Sequence, residues 1–356
     1  MKLFTCSHCG QQVYFENDQC EQCRHPLGFE PGQLQLLALH NDGAQVFLPV
    51  GEGQDQIRYR YCANHAQQAC NWLVPAAEES EFCRACALNS TIPKLDVPEH
   101  LTRWQTLEKG KHRLIYSLLR LGLPVVSKAE QPDTGLTFEF LSDEQKPDGE
   151  KVMTGHDNGL ITINIVEADD IEREMARRAM HEVYRTVLGH FRHEVGHYYW
   201  DRLIDNTPWL EECRQLFGDD RQDYSEALKK HYEQGAPSDW QEHFISEYAT
   251  THPWEDWAET WAHYLHIIDT LETAHAFGLE IKPKAAADAE PVSADIDVDP
   301  YHLATMEAIL DQWLPLTFAL NSLNRSMGLP DPYPFIISPD VRRKLDFVHR
   351  VCKQRG

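Results

Sequence analysis

Eight cysteines lie within the first 86 residues, and their spacing constrains the fold of this region more than any other feature of the sequence. Cys6 and Cys9 form one CxxC pair, and Cys20 and Cys23 form a second pair further along the chain. Each pair presents two thiolates from one tight turn, so two pairs can build the closed tetrahedral sulfur site that zinc prefers. Free or redox-active thiols are the alternative, but a redox-active CxxC needs only one pair. The spacing therefore predicts a structural zinc site.

A second cluster of cysteines is less regular, but it also places four thiolates in one short segment. His65 could replace one of these ligands. We predict a second structural zinc site here, because such a site supplies folding energy to a segment that is too short and polar to fold well alone. Its members are Cys62, Cys70, Cys83 and Cys86.

The charge and composition of the chain limit the kinds of molecule that it can bind. The formal net charge is −23, from 33 Lys+Arg and 56 Asp+Glu, which suits neither the nucleic acid backbone nor an anionic membrane. No apolar run reaches the ~20 residues that span a bilayer, and the N-terminus shows no secretory signal. We therefore expect a cytoplasmic protein that binds neither nucleic acid nor membrane, in which clustered cysteines hold metal rather than form disulfides.

The patterning of the chain indicates two domains and an α+β fold. Residues 1–92 combine the cysteine clusters with short β-rich runs broken by turn signals, and residues 100–356 show mainly helical periodicity. Residues 282–300 are rich in Ala, Asp and Pro and are expected to form a flexible acidic loop. Strands are predicted at 136–142 and 159–165, and helices at 101–121, 172–204 (one helix or two), 221–234, 254–277, 302–323 and 340–352.

Residues 193–197 read HEVGH, an HExxH motif. On a helix, residues four apart lie on one face, so His193 and His197 can reach one metal ion. Glu194 then lies where it can take a proton from water. A chance match or a solvated polar face is the alternative. Apolar residues on the opposite face, including Phe191 and Val195, make the helix amphipathic and favour the metal site.

This metal site needs a third ligand. The metzincin continuation of the motif is absent, which excludes that class. A later predicted helix presents Glu255 and Glu259, four residues apart, on its polar face, although a solvated acidic face is the alternative. The histidines of this segment are further candidate ligands, but most additional histidines are structural. They are His252, His263 and His266.

Some other residues carry weaker signals. Asp201 follows His197 by one helical turn and could orient a ligand, although a surface role is equally consistent with its position. His156 and Asp157 begin an HDNG turn before a predicted strand. Two further cysteines, Cys213 and Cys352, are isolated, and we assign them no function.

The segments ACNWLVP, GHDNGLITIN, FRHEVGHYYWDRL and HPWEDWAETWAHYLH, together with the CxxC pairs, resemble the bacterial zinc-binding metallopeptidases that carry a zinc ribbon. The resemblance covers almost the whole chain, except 282–300 and the last stretch. It implies an N-terminal zinc-ribbon module followed by a mainly helical, zincin-like domain with a small mixed sheet. In such a domain the strand at 159–165 would edge the cleft, where a substrate peptide could add to it.

A more distant similarity connects the chain to lethal-factor-like gluzincins, which place a Tyr seven residues before a ligand Glu and a second Glu four residues after it. That similarity implies that Glu255 is the third zinc ligand and that Glu259 holds a ligand histidine in its tautomer. It also implies that Tyr248 donates a hydrogen bond to a developing oxyanion.

The implied activity is hydrolysis of a peptide or amide bond in a peptide or protein substrate, with Glu194 as the general base. About three zinc ions per chain are expected, one catalytic and two structural. A non-catalytic, zinc-stabilised scaffold for protein interactions is the competing hypothesis, although a scaffold has no need of Glu194. A ribbon protein associated with nucleic acid is a third hypothesis, which the acidic N-terminal module disfavours.

Overall fold

The computed structural model describes residues 2–51, 57–145, 150–179, 186–284 and 292–354. Contacts between residues divide the chain into two compact units, which meet along the sequence at Arg173 and Glu174. The first unit holds both cysteine clusters and most of the strands, and the second is mainly helical. This arrangement confirms the predicted α+β class.

Short antiparallel strands form the N-terminal part of the first unit. Strand β1 (Phe4–Thr5) pairs with β2 (Gln12–Val13), and the turn between them carries Cys6 and Cys9. An antiparallel sheet follows, in which each strand pairs with the next along the chain. Its strands are β3 (Leu27–Glu30), β4 (Gln35–Gly43), β5 (Val46–Pro49), β6 (Tyr59–Tyr61) and β7 (Leu73–Pro75).

A long helix and a second sheet complete the first unit. The helix α1 (Pro98–Arg120) lies close to the predicted bounds and begins with a proline, which lacks the N–H that a first turn leaves unpaired. The sheet is mixed and has the order β10-β11-β9-β8, with β11 parallel to β9 and β9 parallel to β8. Its strands are β8 (Asn89–Thr91), β9 (Thr137–Leu141), β10 (Gly155–Asp157) and β11 (Leu160–Asn164).

The expectation that a substrate peptide could add to the strand at 159–165 is wrong for Leu160–Thr162. Strand β11 is paired on both sides, with β9 on one side and β10 on the other. The reason is the tight turn at Asn158 and Gly159, whose φ angles of 43° and 79° suit a two-residue hairpin. His156 supports this turn by accepting a hydrogen bond from the Gly159 N–H at 2.8 Å. The main-chain groups of β11 at Leu160–Thr162 therefore face two neighbouring strands.

Helix α1 belongs to the first unit because one of its faces packs against the cysteine-rich region. The ring of Tyr116 lies 5.5 Å from that of Phe15 and 6.1 Å from that of Phe29. On the exposed side of α1, a guanidinium nitrogen of Arg113 lies 2.6 Å from Oε1 of Glu16. The compact units consequently divide near residue 173, whereas the sequence pattern changes between 92 and 100.

Helices dominate the second unit. None of the helices within the described ranges is both long enough and apolar enough to cross a membrane. The predicted helix at 172–204 corresponds to two separate helices, and residues 180–185 between them lie outside the described residues. The helices are α2 (Asp170–Ala179), which begins in the first unit, α3 (Val187–Leu203), α4 (Leu210–Phe217), α5 (Tyr224–Gln234), α6 (Trp240–His243), α7 (Pro253–Ala276), α8 (Met306–Ser326) and α9 (Pro339–Lys353).

The segment 282–300 differs in part from the predicted loop. Residues 285–291 lie outside the described residues. Beyond them, β13 (Ala294–Asp295) pairs with β12 (Glu280–Ile281), and Ile296 is 1% exposed. The burial of Ile296 thus secures the end of this segment.

Helices α3 and α7 pack extensively against each other in the second unit. A side chain at Gly196 would lie 3.1 Å from the Cα atom of Ala258 and 3.3 Å from its carbonyl oxygen. The indole N–H of Trp257 donates to the Gly196 carbonyl at 2.8 Å, and Tyr199 stacks on Trp261 with ring centroids 5.0 Å apart. Glycine at position 196 therefore permits the approach of the two helices.

We predict that Gly196→Val destabilises the second unit. Its branched side chain would meet the α7 backbone, and overpacking of this kind costs about 1–3 kcal/mol. Denaturant unfolding should show the lower free energy of unfolding. Gly155→Val is the control, because a Cβ atom there meets no atom within 4 Å, and it should not destabilise the protein. Equal stability of Gly196→Val and the wild type would contradict the close-approach explanation.

Candidate metal centres

The first cysteine cluster brings four thiols together from two turns. The Sγ atoms of Cys6 and Cys23 are 3.6 Å apart, as are those of Cys9 and Cys20. A tetrahedral zinc ion with Zn–S bonds of ~2.3 Å places neighbouring sulfurs about 3.8 Å apart. The separations are too long for disulfide bonds, whose sulfurs lie ~2.05 Å apart. The four thiols therefore fit a zinc ion that they surround completely.

The second cysteine cluster is equally compact and more deeply buried. Cys70 and Cys83 have Sγ atoms 3.7 Å apart, and the Cys83 N–H points to the sulfur of Cys62 at 3.4 Å. The ligand atoms of these three residues and Cys86 all lie within 4.8 Å of one another. His65 is occupied elsewhere, since its Nδ1 lies 2.9 Å from the Cys70 carbonyl oxygen. The four cysteines thus suffice as ligands.

Buried charged groups on α1 surround Cys86. Its sulfur lies 3.6 Å from Nε2 of His112 and 3.6 Å from Oε2 of Glu108. Lys111 pairs with Glu108 at 2.9 Å and also contacts Asn89. Burial acts to lower the pKa of His112, but the Cys86 thiolate and Glu108 raise it overall. The positive groups of α1 therefore offset the negative charge that a tetrathiolate zinc centre carries.

A third group of metal-binding side chains lies in the second unit, between α3 and α7. Oε2 of Glu255 is 3.0 Å from Nε2 of His193 and 3.4 Å from Nε2 of His197, and the two imidazole nitrogens are 3.2 Å apart. All three side chains are largely or fully buried. Two histidines and a carboxylate are thus aimed at one point.

Capping fixes the starts of the two helices that carry these side chains. The hydroxyl of Thr186 accepts a hydrogen bond from the Gly189 N–H at 3.0 Å, which caps α3. On α7, the Nδ1 atom of His252 accepts from the Trp254 N–H at 3.1 Å, and Pro253 occupies the first turn. His252 therefore serves as a cap, and its side chain lies outside the cluster of ligand atoms.

Glu259 orients the first histidine. Its Oε1 atom accepts a hydrogen bond from Nδ1 of His193 at 2.7 Å. A proton on Nδ1 leaves the Nε2 lone pair of His193 directed at Glu255 and His197. Metal-ligating histidines commonly make such a hydrogen bond to a carboxylate. The ring centroids of Trp254 and His197 lie 3.9 Å apart, so Trp254 restricts the orientation of the His197 imidazole.

The electrostatic field of the site attracts positive charge. Burial acts to lower the pKa of His193, but hydrogen bonds and electrostatic attraction from Glu255 and Glu259 raise it well above its usual range. Burial likewise acts to raise the pKa of Glu255, yet the two imidazoles bring it well below its usual range. The field that favours a proton on His193 also favours a metal cation.

The three ligand atoms fit a zinc ion in their chemistry and their spacing. Two nitrogens and an oxygen lie 3.0–3.4 Å apart. Tetrahedral zinc with such ligands at ~2.0–2.1 Å separates them by about 3.3 Å. Three protein ligands leave one coordination position open, which distinguishes this group from the two cysteine clusters.

The two residues predicted to act on substrate lie at the same site. Glu194 is half-buried on α3, and its negative charge contributes to raising the pKa of Tyr224. Tyr248 is half-buried in a short 3-10 turn, with its ring 5.9 Å from that of His193. Burial raises the pKa of Tyr248 far above its ordinary value, with a further contribution from Glu255, so its hydroxyl stays protonated and able to donate.

The remaining candidate residues lie elsewhere. His263 is buried against Tyr333, whose hydroxyl is 2.9 Å from its Nδ1, and burial lowers its pKa to about 4. His266 is packed near Tyr333 with ring centroids 5.3 Å apart. Asp201 is exposed on α3 and acts electrostatically on Tyr198. An orienting role for Asp201 stays a prediction.

Tyr224 is a member of the site that no sequence motif indicated. It is the first residue of α5, and its hydroxyl donates a hydrogen bond to Oε1 of Glu255 at 2.8 Å. Thirty-one residues separate the two positions in the chain. Neither spacing nor periodicity connects residues so far apart, and only the Asp-Tyr start of a helix marks the position in the sequence.

Comparisons with known proteins agree with these observations. A family model described as "Putative zinc-binding metallo-peptidase" matches residues 100–351, and a zinc-ribbon domain model matches residues 3–97. Two proteins named as uncharacterized, from Mycobacterium bovis and Mycobacterium tuberculosis, are 43% identical to this chain over 99% of its length and 96% of their own. No solved structure matches the chain.

The fold, the two cysteine clusters and the group formed by His193, His197 and Glu255 define a zinc-ribbon protein with a metallopeptidase-like helical region. The chain belongs to the zinc-binding metallopeptidase family whose model it matches, which confirms the resemblance found in the sequence. A zinc-ribbon region precedes a mostly helical part with small sheets. Zinc is the metal that both domain models and the cysteine clusters support.

We predict that Cys83→Ser lowers the zinc content by about one ion per chain relative to the wild type, because a serine hydroxyl replaces a thiolate ligand poorly. Elemental analysis of protein purified without chelators measures this. Cys213→Ser is the matched control, since Cys213 is also buried but lies outside every metal-binding group found among the described residues. Unchanged zinc in Cys83→Ser would contradict the assignment of the second cluster.

Proposed function

We propose that this chain is a zinc-dependent peptidase whose active site is the group formed by His193, His197 and Glu255. The observation that carries the proposal is the convergence of their three ligand atoms within 3.0–3.4 Å. When bound there, zinc would supply Lewis-acid chemistry, polarising a substrate carbonyl and making water more acidic. The substrate class is a peptide or protein.

Each neighbouring side chain has a task in this proposal. Glu194 follows the first ligand histidine directly, and we assign it the role of general base, which takes a proton from water and passes it to the leaving amine. Tyr248 is a hydrogen-bond donor held at the site, and we assign it the stabilisation of negative charge on the carbonyl oxygen. Glu259 keeps His193 in the tautomer that presents Nε2.

The open coordination position favours catalysis over a purely structural role. Both cysteine clusters offer four thiols, which would complete the coordination of a zinc ion. The histidine and glutamate group offers three ligands, and it lies beside an acid-base residue and a phenol. A structural site needs neither of these two groups. We therefore propose two structural zinc ions and one catalytic ion per chain.

Zinc stoichiometry gives the first test of this proposal. We expect about three zinc ions per chain in the wild type and about two in His193→Ala, because one of the three non-cysteine ligands is lost. The control is His302→Ala, which changes an exposed histidine outside the described metal-binding groups. A wild-type content near two that His193→Ala leaves unchanged would contradict a metal ion at this site.

A second test addresses catalysis. We expect Glu194→Gln to retain zinc and to lose peptide hydrolysis by about 10²–10⁴-fold, since general-base catalysis contributes about that factor. Hydrolysis can be followed by mass spectrometry of a peptide library incubated with each variant. Glu233→Gln, on the exposed face of α5 with a side chain 61% exposed, is the control. Cleavage by Glu194→Gln at the wild-type rate would contradict the assigned role.

A further inference from the structure

Contacts within the protein hold Tyr224 in place. Asp223 precedes it as the N-cap of α5, and its Oδ1 atom accepts a hydrogen bond from the Glu226 N–H at 2.8 Å. The ring of Tyr224 lies 5.4 Å from that of His252 and 6.2 Å from that of Trp254. The start of α5 and the start of α7 therefore position the hydroxyl of Tyr224 together.

The two carboxylate oxygens of Glu255 have different partners. Oε1 accepts the hydrogen bond from Tyr224 at 2.8 Å, whereas Oε2 faces the imidazoles of His193 and His197. Glu255 is 2% exposed, so little water can compete for either oxygen. The hydrogen bond thus assigns one oxygen to the tyrosine and leaves the other to the ligand cluster.

We propose that Tyr224 is a positioning residue that makes Glu255 bind the metal ion through one oxygen only. The inference rests on the proposed function, because it requires a metal ion at His193, His197 and Glu255. A carboxylate that binds through both oxygens would fill the position that water and a substrate carbonyl need. By holding Oε1, the tyrosine keeps that position open.

The same hydroxyl is connected to the proposed oxyanion donor. The hydroxyl groups of Tyr248 and Tyr224 interact, and Tyr224 in turn donates its proton to Glu255. Tyr224 is thus connected to a proposed metal ligand and to the proposed oxyanion donor.

Cobalt binding tests the proposal directly, because Co²⁺ occupies zinc sites and reports its coordination number by the intensity of its visible absorption. Zinc is removed from the site with a chelator, and CoCl₂ is titrated into the full-length wild type, Tyr224→Phe and Tyr232→Phe. The part of the cobalt absorption that is present in the wild type and absent in His193→Ala is assigned to this site. Charge-transfer bands from thiolate to cobalt identify any exchange at the cysteine clusters.

Phenylalanine is the appropriate replacement because it keeps the ring contacts of Tyr224 and removes only the hydroxyl. Tyr224 is 37% exposed, so no buried cavity results, and circular dichroism of the same samples verifies the fold. Tyr232 lies on the same helix and is 63% exposed, which makes Tyr232→Phe the matched control.

We expect Tyr224→Phe to weaken cobalt binding by about 10–100-fold, the usual effect of losing a partner of a metal ligand. Its absorption should also be less intense, because a second carboxylate oxygen raises the coordination number. Tyr232→Phe should match the wild type. Unchanged affinity in Tyr224→Phe, or weaker binding with an unchanged spectrum, overturns the inference and leaves the proposed function standing. Absence of His193-dependent binding in the wild type overturns both.

Discussion

The close packing of α3 against α7 is the contact on which the candidate active site depends. The absence of a side chain at Gly196 lets the backbone of Ala258 approach, and the indole of Trp257 fixes the depth of the contact through the Gly196 carbonyl. One helix carries the two imidazoles, and the other carries both carboxylates. A slip of one residue along either helix would rotate its side chains by about 100° and shift them by about 1.5 Å, which would separate the ligand atoms.

The two units use different donor chemistry for different purposes. The cysteine clusters in the first unit bring four thiols to one point and leave no position for substrate. In the second unit, His193 and its neighbouring carboxylates create a field that attracts a cation, and Tyr224 and Tyr248 remain protonated donors beside it. These donors and Glu194 lie beside a set of only three ligands, whereas each cysteine cluster offers a complete set of four.

The first unit also shows why the order of motifs in the chain is a poor guide to packing. Helix α1 follows the second cysteine cluster and begins the region that the metallopeptidase model matches. It nevertheless packs against the cysteine-rich region, because His112 and Glu108 approach Cys86 and because Tyr116 joins the aromatic cluster around Phe15. Spacing along the chain could not reveal these contacts, since the partners are separated by many residues and no motif marks the residues of α1 that take part.

Features that depend on short stretches of chain could be read from the sequence. Cysteine pairs in one turn, and histidines one helical turn apart, have geometry that local backbone conformation imposes, so the donor sets and the long helices were predictable. The relation between distant segments was not predictable, because it depends on how side chains fill space between helices. That β11 is paired on both sides, that His252 caps a helix, and that Tyr224 holds one oxygen of Glu255 all depend on such packing.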